Sequence, residues 1–274
     1  MLVAELNGQR VEASSVEKGP AFICPNCGQA VVLKKGKIVI HHFSHKPPIT
    51  CTWGAAETRE HREAKKLFQD EFIRRGCRAD VEYVVNSLSG DRRSDVMIWS
   101  PSGKLFALEL QHSPADYDEL YQRTRSYVSA GIRVIWIPFL APKYWKGAVE
   151  LRHDEHGDYL IKQYPARPLD KWVHGFGYGE LWMYDPARKA LWKGKLKKHQ
   201  MYVNETARFE SDGSETTAGG YWKISRRWRE LTLWGPYGFD RILISAIERL
   251  AVDKGKHSYP GGYVGRLQVG PEAQ

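Results

Sequence analysis

Apolar and polar residues alternate along two neighbouring stretches near the middle of the chain, Ser94 to Ser100 and Lys104 to Gln111. A period of two predicts strands, and Pro101-Ser102-Gly103 between them predicts a three-residue hairpin loop with the glycine in the left-handed conformation. The register set by this loop places Asp95 opposite Glu109. The pattern therefore predicts a β-hairpin that brings two carboxylates together.

The alternation divides this hairpin into two faces. One face is wholly apolar and consists of Val96, Ile98, Phe106, Leu108 and Leu110. The other face carries Asp95, Met97, Trp99, Leu105, Ala107, Glu109 and Gln111. Opposed strand residues have Cβ atoms about 4.5–5.5 Å apart, so the two carboxylates are placed to chelate one hard divalent cation. A solvated pair of surface carboxylates is the alternative interpretation.

An amphipathic helix is predicted upstream, from about Ala55 to Arg75, with Gly76 as its C-terminal stop. Its apolar stripe consists of Ala64, Leu67, Phe68 and Phe72. Glu57, His61 and Lys65 follow one another at intervals of four residues, within this stripe or at its edge. Ionisable groups on a buried face need partners. These three side chains either pair with one another along the helix or face the carboxylates of the hairpin.

Cysteines and histidines near the N-terminus have the spacing of a zinc knuckle, with Cys24 and Cys27 followed by His42 and His45. His41 and Cys51 are alternatives for the last ligand. Four protein ligands leave no open position, so we expect a structural Zn²⁺ that replaces the core such a short segment cannot build. The alternative is two buried thiols and a surface histidine cluster.

Length, cysteine content and net charge indicate which compartment and which kind of partner to expect. The chain has 274 residues, four cysteines and a formal net charge of +9. No segment approaches the roughly 18 to 20 uninterrupted apolar residues of a membrane span, and the N-terminus lacks a basic region followed by an apolar run. We therefore expect a cytoplasmic protein without disulfides or a membrane partner. The positive charge favours a polyanionic partner.

Five motifs in this order resemble the competence protein CoiA-like family. They are the run Phe22 to His45, E-T-x-x-H-x-x-A-K from Glu57 to Lys65, R-x-D-V from Arg93 to Val96, E-L-Q-x-S from Glu109 to Ser113, and Arg123 with Tyr127 before a strand containing Trp136. The resemblance covers roughly residues 20 to 150. It implies a restriction-endonuclease-like core of the PD-(D/E)xK type, in which a helix precedes an antiparallel hairpin and a second helix and a further strand follow.

The resemblance also implies roles for individual residues. Asp95 and Glu109 would hold Mg²⁺ or Mn²⁺, and Glu57 would be the acid of the helix. Gln111 stands where many such nucleases have the lysine of the motif, and a neutral amide cannot supply positive charge to a transition state. By the helix geometry above, Lys65 or His61 compensates by reaching into the site.

A second helix is predicted after Ser113 and Pro114, ending near Gly131, and Ile132 to Phe139 is predicted to be a buried strand. Arg123 lies beside the apolar stripe of this helix. It is placed either to contact DNA near the scissile phosphate or to pair with a carboxylate of the core, and the sequence leaves both open.

The region beyond about Leu151 is rich in Trp, Tyr and Gly and contains two basic runs, Ala187 to His199 and Tyr221 to Glu230. Tryptophans interleave with these cations at Trp192, Trp222 and Trp228. The composition suits stacking of bases on aromatic rings, and it equally suits a small twisted sheet with a solvated basic face.

Three further segments of this region are assigned from local pattern. Glu210 to Gly220 is polar and rich in glycine, which favours a mobile loop. Phe239 to Val252 has apolar residues at helical spacing and is predicted to be a final helix. The tail from Gly261 onward looks irregular.

Together these patterns predict an α/β protein with a zinc-knuckle region over residues 1–52, a nuclease-like core over 53–150 and a basic, aromatic, β-rich extension over 151–274. The predicted function is that of a metal-dependent deoxyribonuclease acting on single- or double-stranded DNA in competence, recombination or foreign-DNA handling. A catalytically weak DNA-binding module that assists recombination is the main alternative, and a zinc-stabilised adapter without nucleic acid is a third. The sequence leaves a homo-oligomer open.

Overall fold

A computed structural model describes residues 1–51, 53, 57–87, 91–154, 157–211 and 213–271 of the chain, without the side chains of 152–154. The described residues form three α-helices and eighteen β-strands. None of the helices in this part of the chain is long and apolar enough to cross a membrane.

The first sheet is antiparallel and has the strand order β2-β1-β3-β4-β5. Its strands are β1 (Val3–Leu6), β2 (Gln9–Glu12), β3 (Phe22–Ile23), β4 (Ala30–Lys34) and β5 (His42–His45). Phe22, Leu33 and Phe43 fill a small core together with the thiols of Cys24 and Cys51. β4 and β5 form an antiparallel hairpin whose connection contains Gly36.

The second sheet has the strand order β6-β7-β8-β9 and is flanked by two helices. In chain order its elements are α1 (Arg59–Arg74), β6 (Arg78–Val85), β7 (Arg92–Trp99), β8 (Leu105–Gln111), α2 (Tyr117–Ser129) and β9 (Arg133–Pro138). The first three strands are antiparallel, and α2 carries the chain across to β9, which runs parallel to β8. This matches the predicted order of helix, hairpin, helix and strand.

Local sequence explains where α1 begins and ends. The Thr58 side chain accepts a hydrogen bond from the His61 N–H and caps the N-terminus. Gly76 adopts a φ of +77° just beyond the last turn, which favours glycine. The helix packs its apolar stripe against the sheet. Its predicted start at Ala55 lies outside the described residues, which resume at 57.

The central hairpin has the predicted register. Trp99 pairs with Leu105 and Val96 pairs with Leu108, while Gly103 has a φ of +76° in the three-residue loop. The two predicted faces enter different hydrophobic clusters, with Met97 and Ala107 in one and the wholly apolar face in the other. Both faces are therefore buried, which leaves the ends of the strands as the accessible part of the hairpin.

The third sheet has the strand order β10-β11-β16-β13-β12. It consists of β10 (Ala148–Asp154), β11 (Gly157–Tyr164), β12 (Leu181–Asp185), β13 (Ala190–Val203) and β16 (Tyr221–Tyr237), with α3 (Pro168–Phe176) between β11 and β12. Trp172, Trp192 and Leu231 share one hydrophobic cluster with Leu120 and Trp136 of the central layer. The central and third sheets therefore share one hydrophobic core, which includes residues on both sides of position 150.

Three of the assignments made beyond residue 200 are wrong. The segment predicted to be a mobile loop, Glu210 to Gly220, contains β15 (Glu215–Ala218), which pairs with β14 (Thr206–Phe209) just before the segment. The predicted final helix is a short 3₁₀ turn followed by β17 (Ile242–Arg249), and the tail predicted to be irregular contains β18 (Gly262–Val269). These last two strands pair along their whole length, and this long-range pairing overrides the helical spacing of the apolar residues.

Candidate active site and metal centre

Asp95 lies where β7 and β8 separate. The cross-strand pairs of the hairpin reach Val96 and Leu108, and beyond them the Leu110 N–H donates to Asp95 Oδ2 at 2.8 Å. At the fork between β7 and β8, the Leu110 N–H therefore binds the Asp95 carboxylate. The fork orients the carboxylate of Asp95 at the end of a fully buried hairpin.

Helix α1 supplies two groups to this carboxylate. His61 Nε2 lies 3.1 Å from Asp95 Oδ2, and Lys65 Nζ lies 4.0 Å from Asp95 Oδ1. The two helix residues are four positions apart and so project from the same face. Of the two predicted arrangements, the structure therefore has the one in which the helix faces the hairpin.

Lys65 is completely buried and is surrounded by carboxylates. It forms an ion pair with Glu57 and donates to Glu82 Oε1 at 2.5 Å. Glu82 also accepts the backbone N–H of Leu2 at 3.0 Å. The internal ladder of Glu57, His61 and Lys65 is present as well, because His61 Nδ1 lies 3.8 Å from Glu57 Oε1.

Glu82 is a member of this cluster that the sequence analysis missed. It lies in β6 with a φ of +51°, between the pairs Val81–Val96 and Tyr83–Ser94, and so stands opposite Asp95. A positive φ on a non-glycine residue is uncommon and costs conformational energy, so the surrounding structure must hold it in place. The usable signal was that Glu82 is one of two acids within the strand-like run RADVEYVV, Arg78 to Val85.

Charge balance fixes the ionisation of the cluster. Burial alone would lower the pKa of Lys65, but Glu82 and Glu57 outweigh burial and raise it. Burial alone would raise the pKa of Asp95, but His61 and Lys65 hold it well below its usual range. Asp95 is therefore a carboxylate and Lys65 an ammonium at neutral pH.

Glu109 is held by the other helix. Arg123 and Tyr127 of α2 each donate a hydrogen bond to one of its carboxylate oxygens. Of the two roles left open for Arg123, the structure has the pairing with a core carboxylate. Burial raises the pKa of Glu109 to about 7 despite the opposing effect of Arg123, and the negative charge of Asp95 contributes to the rise. Continuing the register of the Val96–Leu108 pair places Asp95 opposite Glu109.

The accessible edge of the site consists of few residues. Lys65, Glu82 and Glu109 are buried, whereas the side chains of His61 and Asp95 are 19% and 13% exposed. Gln111 points away from the carboxylates, since its amide Nε2 donates to the Ser113 carbonyl at 3.0 Å. Solvent therefore contacts the site mainly from the side of His61 and Asp95 among the residues of this cluster.

A separate metal-binding cluster lies in the N-terminal sheet. The ligand atoms of Cys24, Cys27, His45 and Cys51 all lie within 4.8 Å of one another. The Sγ atoms of Cys24 and Cys51 are 3.9 Å apart, and Cys27 Sγ is 3.4 Å from His45 Nε2. Tetrahedral Zn²⁺ with Zn–S bonds of about 2.3 Å separates its sulfur ligands by roughly 3.8 Å. Three thiols and one imidazole at these separations fit Zn²⁺.

His42 is not part of this cluster, which corrects the predicted ligand set. Its Nδ1 lies 2.9 Å from the Ile40 carbonyl oxygen, and the fourth position is taken by Cys51, one of the two alternatives. The reason is the alternation of β5, because side chains at odd separations lie on opposite faces and His42 cannot join His45. Within the described residues, this cluster is the one group of three or more Cys, His, Asp or Glu residues at ligand spacing.

Two family models match the chain. The N-terminal domain of competence protein CoiA matches residues 6–54, and the nuclease-like domain of CoiA matches residues 57–209, more than half of the chain. The chain belongs to the CoiA family. The nuclease-like match of this CoiA-family chain contains the whole carboxylate cluster and both helices that hold it. No curated protein matches the chain.

Proposed function

We propose that this CoiA-family chain is a metal-dependent DNA nuclease with a PD-(D/E)xK-like core. The sheet of β6 to β9 and its two helices supply the α-β-β-β-α-β order of that core. The observation that carries the proposal is the fork at Asp95, where an ionised and partly exposed carboxylate accepts the Leu110 N–H and receives His61 and Lys65 from α1.

The residues at the fork fit a hard divalent cation. Asp95 and Glu109 offer oxygen ligands, which Mg²⁺ and Mn²⁺ prefer. The contribution of Asp95 to the raised pKa of Glu109 is the repulsion between two carboxylates that a shared cation would relieve. Asp95 and Glu109 would hold the cation. When bound, it would polarise a phosphoryl oxygen and lower the pKa of a water ligand.

The side chains from α1 orient the carboxylate and supply positive charge. Lys65 is held by Glu57 and Glu82, and its positive charge balances the negative charge of Asp95 from the buried side of the site. His61 lies at the accessible edge, and we assign to it the contact with the substrate phosphate. We assign to α1 the role that the motif lysine has in related cores, because the neutral amide of Gln111 cannot supply positive charge.

Cleavage of labelled single- and double-stranded DNA in Mg²⁺ and in Mn²⁺ tests the proposal. The protein should cut DNA only with one of these cations, and Asp95→Asn should lower the rate by roughly 100-fold or more. Asp80→Asn is the matched control, because Asp80 belongs to the same sheet but pairs with Arg78 at the surface. Equal rates for the wild type and Asp95→Asn would remove the fork from the mechanism.

Zinc has a structural role in this proposal. Three cysteines and one histidine complete a tetrahedral site, so no position remains for a substrate or an activated water. We propose that Zn²⁺ holds the N-terminal sheet in place of a larger hydrophobic core.

A second candidate is a DNA-binding module that assists recombination and cleaves little. Two observations favour it: the amide at Gln111 supplies no positive charge, and both oxygens of Glu109 are engaged by Arg123 and Tyr127. DNA binding without metal-dependent cleavage would support this candidate over the nuclease.

A further inference from the structure

The strands β13 and β16 continue as a two-stranded ribbon beyond the edge of their sheet. We define the arm as residues 200–224, which comprise the ends of these strands and the β14–β15 hairpin at the tip. Residues 200–203 pair with 221–224, and Tyr202 lies opposite Trp222. Every one of these eight stem residues except Val203 is exposed. The stem therefore has no covering layer on either face.

A wide bulge separates the arm from the sheet. The pairs Lys198–Arg229 and Gln200–Ile224 follow one another, so one residue of β13 faces four residues of β16. The bulged segment contains Arg226 and Arg227, which are both exposed. An inserted segment of this kind re-aims a strand and its side chains. The bulge thus presents two guanidinium groups at the base of the arm.

The charge along the arm is sharply divided. Residues 193–203 and 221–229 contain eight Lys or Arg and no Asp or Glu. Residues 204–220, at the tip, contain four acids and one arginine. A polyanion would therefore be attracted to the stem and its base, and repelled from the tip.

The stem also carries an exposed pair of aromatic rings. Tyr202 and Trp222 have ring centroids 5.4 Å apart and are 47% and 68% exposed. Large exposed rings beside cations are what single-stranded nucleic acids bind, because bases stack on the rings while phosphates meet the positive charges. In a duplex the bases are already stacked on each other and offer no face to these rings.

We propose that the stem of the arm binds single-stranded nucleic acid, with a base stacked on Trp222 and phosphates bound by Lys198 and Arg226. This binding site is separate from the carboxylates of the nuclease-like site and needs no divalent cation. The tryptophans of the basic runs therefore have different roles. Trp222 is part of the binding site, whereas Trp192 is 1% exposed and packs in the core.

Fluorescence anisotropy of a labelled oligothymidylate, titrated with the full chain in buffer without Mg²⁺ or Mn²⁺, tests this site. Trp222→Ala should weaken binding by about 5- to 150-fold, and a matched duplex should show a much smaller change. Lys198→Ala should flatten the slope of log affinity against log salt by about 0.7.

Phe209→Ala is the control on the arm itself, because Phe209 is 75% exposed but lies in the acidic tip. It should leave affinity unchanged. Equal affinities for the wild type and a folded Trp222→Ala protein would overturn the proposal, as would an unchanged salt slope for Lys198→Ala. A Trp222→Ala protein that changes its mass in solution while it keeps its DNA affinity would assign the stem to contact between copies of the chain instead. Because no cleavage is measured, this outcome is independent of the nuclease test.

Discussion

At the scale of single residues, the active-site cluster depends on one buried ammonium group. Lys65 is fully buried between Glu57 and Glu82, and its positive charge offsets carboxylates that would otherwise repel one another. Glu57 also pairs with the amino group of Met1 at 3.0 Å. The cluster therefore links α1, the central sheet and the N-terminal strand through charge as well as packing.

We expect Lys65→Met to lower the free energy of unfolding by about 3–5 kcal/mol, because it leaves buried carboxylates without their cation. Lys66→Met is the control at the next position. Lys66 is 30% exposed and pairs with the exposed Asp70, and such surface pairs contribute about 0–1 kcal/mol. Urea denaturation of both variants measures the difference. A Lys65→Met protein as stable as Lys66→Met would contradict the ion cluster.

The sequence predicted much of this cluster but not all of it. The hairpin register placed Asp95 next to Glu109, and helical spacing placed His61 and Lys65 on the face that meets them. Glu82 was missed because its strand was not assigned, and because its positive φ depends on long-range partners. No local pattern encodes those partners, which lie in the N-terminal strand and in α1.

At the scale of elements, the zinc-binding residues show that the spacing of cysteines and histidines in the sequence does not by itself determine the ligand set. A C-x2-C and H-x2-H pattern predicted four ligands, whereas the structure brings together Cys24, Cys27, His45 and Cys51. Strand alternation turns His42 away, and the chain after β5 returns Cys51 to the cluster. The direction of that return is set by tertiary packing, so the sequence left it as an alternative.

We expect Cys51→Ser to lose bound zinc and His42→Ala to retain it. Structural Zn²⁺ contributes on the order of 10–16 kcal/mol in finger-like peptides, far more than this small core could replace. Elemental analysis of each purified variant measures its zinc content, and a circular dichroism spectrum shows whether the variant is folded. Loss of zinc from His42→Ala with retention in Cys51→Ser would restore the set predicted from spacing.

The extension illustrates the same limit for strands and helices. Apolar residues from Ile242 to Leu250 fit a helical period, yet the segment forms a strand because β18 pairs with it residue for residue. Likewise, composition cannot tell which of the three tryptophans of the basic runs are buried and which are exposed. Only the sheet shows that Trp192 faces the core and that Trp222 lies on the arm.

These two tryptophans should differ in their effect on stability. Trp192→Ala removes a buried ring and should cost about 3–5 kcal/mol. Trp222→Ala removes an exposed ring and should change stability by no more than about 0.5 kcal/mol. Thermal denaturation of the two variants checks this sorting, and a similar loss of stability in both would mean that the arm is packed in solution.

At the scale of the whole molecule, the chain combines three parts with separate chemistry. The N-terminal sheet carries a candidate zinc site, the central sheet carries the carboxylate fork, and the third sheet extends into a basic arm. A single hydrophobic cluster joins the central and third sheets. This suits a protein that holds a strand of DNA and cuts it.

The central claim is that Asp95 and Glu109 hold one divalent cation. Electron paramagnetic resonance of Mn²⁺, with and without a short DNA, measures that binding directly and does not depend on turnover. We expect one Mn²⁺ bound per chain in the wild type and in Asp80→Asn, and its loss in both Asp95→Asn and Glu109→Gln. Undiminished Mn²⁺ binding in folded Asp95→Asn and Glu109→Gln proteins, or no binding by the wild type in the presence of DNA, would contradict the account.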